Sequence, residues 1–168
     1  MICEPARDRV AEIRNRVGMA SLVAAAHPEH PEVDSMLALY LAVAASGVIE
    51  ECVTELLVAY ARRNGNQQVG DYVWGSLNRY FQNPKIAKIY DFLGYFDREW
   101  VKEMKTRLPQ RAEQALNALV DTKNDLAHRG TPQLNLTVRD VQDHLAASLV
   151  VLDLLEEVLT RPTRRGPV

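Results

Sequence analysis

Met36-Leu37-Ala38-Leu39-Tyr40-Leu41-Ala42-Val43-Ala44-Ala45 is apolar around nearly the whole circumference of a helix. A helix of that kind belongs at the centre of a bundle, where neighbours cover it on several sides. The helical pattern extends outward from about Glu32 to Arg63. His27-Pro28-Glu29-His30-Pro31 breaks the chain before it, and Asn64-Gly65-Asn66 ends it. Gly65 suits a left-handed helix cap, because a residue without Cβ adopts positive φ at little cost.

Working outward, proline and glycine punctuate further helices. Pro5 stands at a helix start, where its missing N–H matters least, and an amphipathic segment follows from Ala6 to Ala26. A third segment covers Gln67 to Phe81, and Asn83-Pro84 opens a short one from Lys85 to Leu93. Gly94-Tyr95-Phe96-Asp97 reads as a turn, with Asp97 as N-cap of a helix from Arg98 to Thr106. Pro109 opens a helix to about His128, which Gly130-Thr131-Pro132 stops. The last helix runs from near Thr137 to Leu159 and starts with Thr137-Val138-Arg139-Asp140, a capping box with Asp in place of Glu. No segment alternates with period two, and there is no internal repeat or glycine-rich phosphate loop. The expected fold is all-α, a single bundle of about five to seven helices over residues 1–160, with a flexible basic tail at 161–168.

The 168 residues carry 20 Lys+Arg against 22 Asp+Glu, a net charge of −2. Binding nucleic acid by bulk electrostatics needs a basic excess, so any such chemistry must sit in a local site. Cys3 and Cys52 make no CxxC pair, and the histidines have no ligand spacing, so no metal and no cofactor is expected. The start lacks a charged-then-apolar leader pattern. The longest uncharged apolar run, Ser35 to Ile49, is too short to span a bilayer and ends in Glu50-Glu51. A cytoplasmic protein without membrane contact is the expectation.

The helix from Pro109 to Gly130 departs from a plain core pattern. Ala112, Ala115, Leu116, Leu119, Val120, Leu126 and Ala127 fall on one arc at about 100° per residue. Asn117, Asp121, Asn124, Asp125 and His128 fall on the other side. Lys123 lands near the centre of the apolar arc. Wheel geometry alone favours a lysine that snorkels past a thin edge of the core; the alternative is a lysine that meets a buried carboxylate or lines a polar cleft. On the long second helix Glu51 shares a solvated face with Glu55 and Arg62, whereas Glu50 lies beside Val53 and Leu57. Glu50 is therefore the candidate partner for Lys123. His128, in the last helical turn, is either a capping residue or a group tuned to titrate near neutrality by the helix dipole. His27 and His30 read as surface residues, His144 as core-edge or exposed. Trp74, Tyr80 and Trp100 read first as core, and second as stacking surfaces for a nucleotide.

Lys123-Asn124-Asp125-Leu126-Ala127-His128-Arg129-Gly130 resembles the signature of the HEPN superfamily: a basic residue, usually Arg, then a polar residue, three more, and a His. Ser46-Gly47-Val48-Ile49-Glu50-Glu51 looks like that family's acidic position on an early long helix. Asn83-Pro84-Lys85-Ile86 through Phe92-Leu93 to Phe96-Asp97-Arg98-Glu99-Trp100 looks like the middle of the RiboL-PSP-HEPN branch. The resemblance spans about Glu32 to Leu159. It implies a HEPN-like bundle and a metal-independent endoribonuclease that acts as a homodimer on RNA, in a defence or toxin–antitoxin-like setting with an antitoxin or other protein partner. It implies that Lys123 stabilises phosphate charge and that His128 serves as general base or acid. Asn124 would orient the phosphate or His128, Glu50 would hold the lysine, and Arg129 and Asp121 would flank the site.

Two features depart from the family pattern. Lys123 stands where Arg is usual, which removes bidentate phosphate contact. Arg129-Gly130 follows the histidine, so the variant with a modifiable tyrosine two residues after it is absent. Geometry adds a condition. Positions 123 and 128 are about 140° apart on a regular helix, so either the helix ends before His128 or a second subunit completes the site. Acidic Asp121 and Asp125, if they face the cleft, would repel phosphate and favour the alternative, a non-catalytic HEPN-like module for dimerisation or protein binding.

Overall fold

A computed structural model describes the backbone of residues 4–129 and 135–161, and the side chains of residues 6–127 and 135–161. Among these are seven helices and no strand: α1 (Glu4–Ala26), α2 (Pro31–Asn64), α3 (Gln67–Tyr80), α4 (Ile86–Gly94), α5 (Arg98–Arg107), α6 (Gln110–Arg129) and α7 (Val138–Thr160). Central α2 packs against α1, α3, α6 and α7; α6 and α7 pack on each other, and the shorter α4 and α5 close one side. Ala38, Leu41, Ala42, Ala45, Ile49, Cys52, Val53 and Leu57 of α2 are essentially inaccessible. They meet Ile13 of α1, Leu116 and Leu119 of α6, and Leu152 and Leu155 of α7 in one core. By length and composition alone α2 would cross a bilayer, but half of its most apolar window is buried within the bundle. Core packing already accounts for that composition.

The helix ends follow local chemistry. Asp97 accepts from the Glu99 N–H (2.8 Å). Thr137 and Asp140 form a reciprocal capping box at α7, and Asp34 of α2 accepts from the Val138 N–H (3.0 Å). Gly65 corrects its sequence reading. It is not left-handed, with φ −113°; a Cβ there would instead lie 3.0 Å from the Ala61 carbonyl and 3.1 Å from Val69. Close approach of α2 to α3 is what favours glycine at this position.

Other expectations need correction too. Trp74 and Tyr80 are exposed rather than core, at 53% and 58%; only Trp100 is partly buried, edge-on to Tyr60. Leu126 is half-buried and Ala127 exposed, so the apolar arc of α6 stops a turn early. Arg161, read as the start of a basic tail, is ion-paired to Glu103 (2.6 Å) and to Glu157. The remainder of that tail, 162–168, lies outside the described residues. His27 and His30 are exposed, and His144 is half-buried.

Candidate functional site

α2 delivers Glu50 and α6 delivers Lys123 to one wall of the bundle. Lys123 Nζ lies 3.3 Å from Glu50 Oε2, with side chains 27% and 24% exposed. Lys123 is thus neither fully buried nor snorkelling freely; it reaches a half-buried carboxylate through a gap in the apolar arc. The ammonium has three donors, and one contact to Glu50 leaves others for an anion in the adjoining cleft.

The segment between α3 and α4 fixes Glu50 in place. Asn83 has φ 52°, a left-handed conformation that Asn tolerates better than most residues. That turn aims its N–H at Glu50 Oε2, 3.1 Å away. Pro84, buried, follows. Lys85, the N-cap of α4, gives no side-chain cap. Asn117 of α6 does so instead, accepting from the Ile86 N–H at 3.0 Å. One turn further along α6, Asp121 binds Lys85 Nζ at 2.5 Å. Asn117 and Asp121, four residues apart and on one face, therefore hold the start of α4 against α6.

Glu50 and Lys123 open onto a cavity of about 930 Å³, lined by Trp74 and Asn78 of α3, and by Phe81, Gln82 and Asn83 after it. Arg9 of α1 enters it paired with Glu51 and with Glu55 (3.0 Å). Arg62 enters it paired with Asp71 (3.0 Å). Acids and bases on the wall balance, so the cavity has little net charge. Among the described residues no group of His, Cys, Asp and Glu could hold a metal ion.

The residues singled out in the sequence fall as follows. Glu50 and Lys123 meet. Asn124 is half-buried beside Lys123. Asp121 is engaged by Lys85 rather than set toward Lys123. The backbone of α6 continues through His128 to Arg129, which removes the possibility that the helix ends before the histidine. The side chains of His128 and Arg129 lie outside the described residues. Sequence reading missed Asn83, Asn117 and Arg9. The Asn-Pro dipeptide carries a signal for the first, since Asn tolerates positive φ; the other two act only through tertiary contacts.

The RiboL-PSP-HEPN family model matches residues 8–161. No curated protein and no solved structure shows significant similarity to the chain. That match spans nearly the whole sequence and takes in Glu50, the Asn83-Pro84 turn, and Lys123 through His128; the chain belongs to the RiboL-PSP-HEPN family.

Proposed function

We propose that the protein is a metal-independent endoribonuclease of HEPN type, working as a homodimer on single-stranded RNA in the cytoplasm. The observation that carries this reading is the Lys123–Glu50 pair at the mouth of a cleft, on the same helix that bears Asn124 and His128. A basic group held half-desolvated by an acid is a pre-set counter-charge for a phosphate. The reaction needs no more than proton transfer and charge stabilisation. His128 takes the proton from the ribose 2′-OH; the 2′-oxygen attacks phosphorus, the bond from phosphorus to the 5′-oxygen breaks, and that oxygen leaves with the proton that the imidazolium gives back. The products are a 2′,3′-cyclic phosphate and a 5′-hydroxyl end. Lys123 offsets the charge that builds on the non-bridging oxygens, and Asn124 orients the phosphate or the imidazole.

Positions 123 and 128 leave a continuous helix about 140° apart, so the reading requires a second copy, with His128 of one chain serving the phosphate at Lys123 of the other. Purified protein in EDTA, incubated with mixed single-stranded RNA, is expected to cleave it and leave cyclic phosphate ends. His128→Ala is expected to abolish cleavage while the dimer persists in sedimentation. No cleavage by an intact dimer would sink the enzyme reading. The setting we propose, from family membership, is defence or a toxin–antitoxin-like pair with a protein inhibitor.

One observation favours a second reading. The Lys123 charge is already offset by Glu50, and lysine replaces the usual arginine. In that reading the bundle is a non-catalytic HEPN module for dimerisation or protein binding, and the same assay separates the two.

A further inference from the structure

The cleft beside Lys123 contains one feature that phosphate chemistry does not use. Trp74 is 53% exposed, yet it does not lie on the outer face of α3. Gly70, Trp74, Leu77 and Phe81 follow one another at helical spacing, and Gly70, Leu77 and Phe81 are buried. Trp74 therefore stands on the inward-turned face and forms a wall of the cavity that Lys123 and Glu50 share. Tyr72 and Tyr80, also exposed, are offset by about 160° and about 120° from it around α3 and do not line that cavity. The wall next to the indole carries carboxamides: Asn78, Gln82 and Asn83. Each carboxamide offers a donor pair and an acceptor.

The electrostatics narrow the ligand further. Arg9, Arg62 and Lys123 are matched by Glu51, Asp71 and Glu50. A run of phosphates would have to compete with those acids. A neutral, flat, hydrogen-bonding group would not. An aromatic platform flanked by amides, in a cleft of about 930 Å³, is the arrangement that takes an unpaired base: the ring face supplies stacking and the amides reach the base edge.

We infer that Trp74 is the stacking platform of a nucleobase subsite, which holds one unpaired base of a single-stranded RNA next to the phosphate at Lys123. The placement beside a scissile phosphate rests on the ribonuclease reading; the base-binding wall itself does not. Duplex RNA is excluded, because its bases are already stacked and paired. The subsite sets where the strand lies, so Trp74 is a positioning residue and not a catalytic one.

The test uses the full-length chain carrying His128→Ala, so that RNA is titrated without the cleavage proposed for the parent. A single-stranded octanucleotide RNA, the same sequence annealed to its complement, and adenosine monophosphate are titrated while tryptophan fluorescence and anisotropy are followed. Single strand is expected to quench the fluorescence and bind at least about ten-fold more tightly than duplex. Trp74→Ala is expected to weaken binding by about ten-fold or more, and Trp74→Phe to restore most of it. In the otherwise unaltered chain, which retains His128, the same Trp74→Ala change is expected to raise KM far more than it lowers kcat. Binding of the mononucleotide as tight as that of the octanucleotide would assign the subsite to a free nucleotide and overturn the RNA assignment. Single-strand affinity and KM within two-fold of the parent in Trp74→Ala would overturn the inference altogether, with the ribonuclease reading untouched. If the parent cuts no RNA but Trp74-dependent quenching persists, the ribonuclease reading fails and the base subsite stands.

Discussion

A single carboxylate carries much of the site. Glu50 accepts from both the Lys123 ammonium and the Asn83 N–H. Glu50→Ala removes two partners at once and leaves a half-buried N–H without an acceptor; Lys123→Met removes one. Glu50→Ala is expected to cost about 2 kcal/mol and Lys123→Met about 1 kcal/mol in urea denaturation. The double mutant should lose less than the sum, because the second change no longer breaks a pair. Strict additivity would mean that the contact contributes nothing. For activity, Lys123→Ala is expected to lower kcat about 100-fold or more, and Lys123→Arg to retain it, since a guanidinium still offers charge and adds a fork. These residues were legible in the sequence for a physical reason: a lysine on an apolar arc and a glutamate beside one each violate the helical pattern, and two violations at matching depth point to each other. Trp74 was legible only as the second of two readings, a stacking surface behind a core residue. Its spacing, with Gly70, Leu77 and Phe81, is that of a core residue, and only the open cleft beyond α3 decides otherwise.

Among the elements, α7 shows the closest agreement between sequence and structure. Thr137 accepts from the Asp140 N–H (3.1 Å), and Asp140 accepts from the Thr137 N–H (3.0 Å). The Thr137 hydroxyl also donates to Asp140, which holds that carboxyl below its ordinary range. Thr137→Ala should therefore lower stability by about 1 kcal/mol at neutral pH. Because the folded-state pKa of Asp140 is depressed, its share is present above the ordinary aspartate range and disappears as acid protonates it. Melts of the two proteins at pH 7 and pH 3 check both points. Capping signals are short-range, which is why Asp97 and Thr137 could be read from four consecutive residues. Gly65 could not. Its backbone is shaped by the approach of Val69 on α3, a contact that no local rule contains. The fraying of the apolar arc at Leu126 and Ala127 escaped for a similar reason: periodicity continues along α6 after the bundle has stopped covering it.

On the scale of the molecule, α2 is the axis and α7 the long strut against it. Leu152 is fully buried where α7 joins the core, and Leu152→Ala is expected to cost about 3 kcal/mol. A surface network binds α5 to α7. Arg107 contacts Glu103 (2.7 Å) and Glu157 (2.6 Å), and Arg161 contacts both acids as well. Hydrogen bonds from Arg107, then Arg161, bring the Glu157 carboxyl from its ordinary 4.5 down to about 2. The network's contribution is therefore complete above about pH 4.5 and is lost as pH falls toward 2. The difference in Tm between the parent and Arg107→Met should shrink across that range, and also in 1 M salt at neutral pH, where the Debye length is about 3 Å. The bundle itself was evident from the all-round apolar run in α2, whereas the pairing of α5 with α7 depends on residues about fifty positions apart and has no sequence signature. The Asn83 turn reaches further than its size. Since a loop amide and the α6 ammonium share one oxygen, edits to five residues between α3 and α4 alter how firmly the lysine is leashed. Relatives with a different loop there should differ in appetite for phosphate although every residue of the Lys-to-His motif is the same.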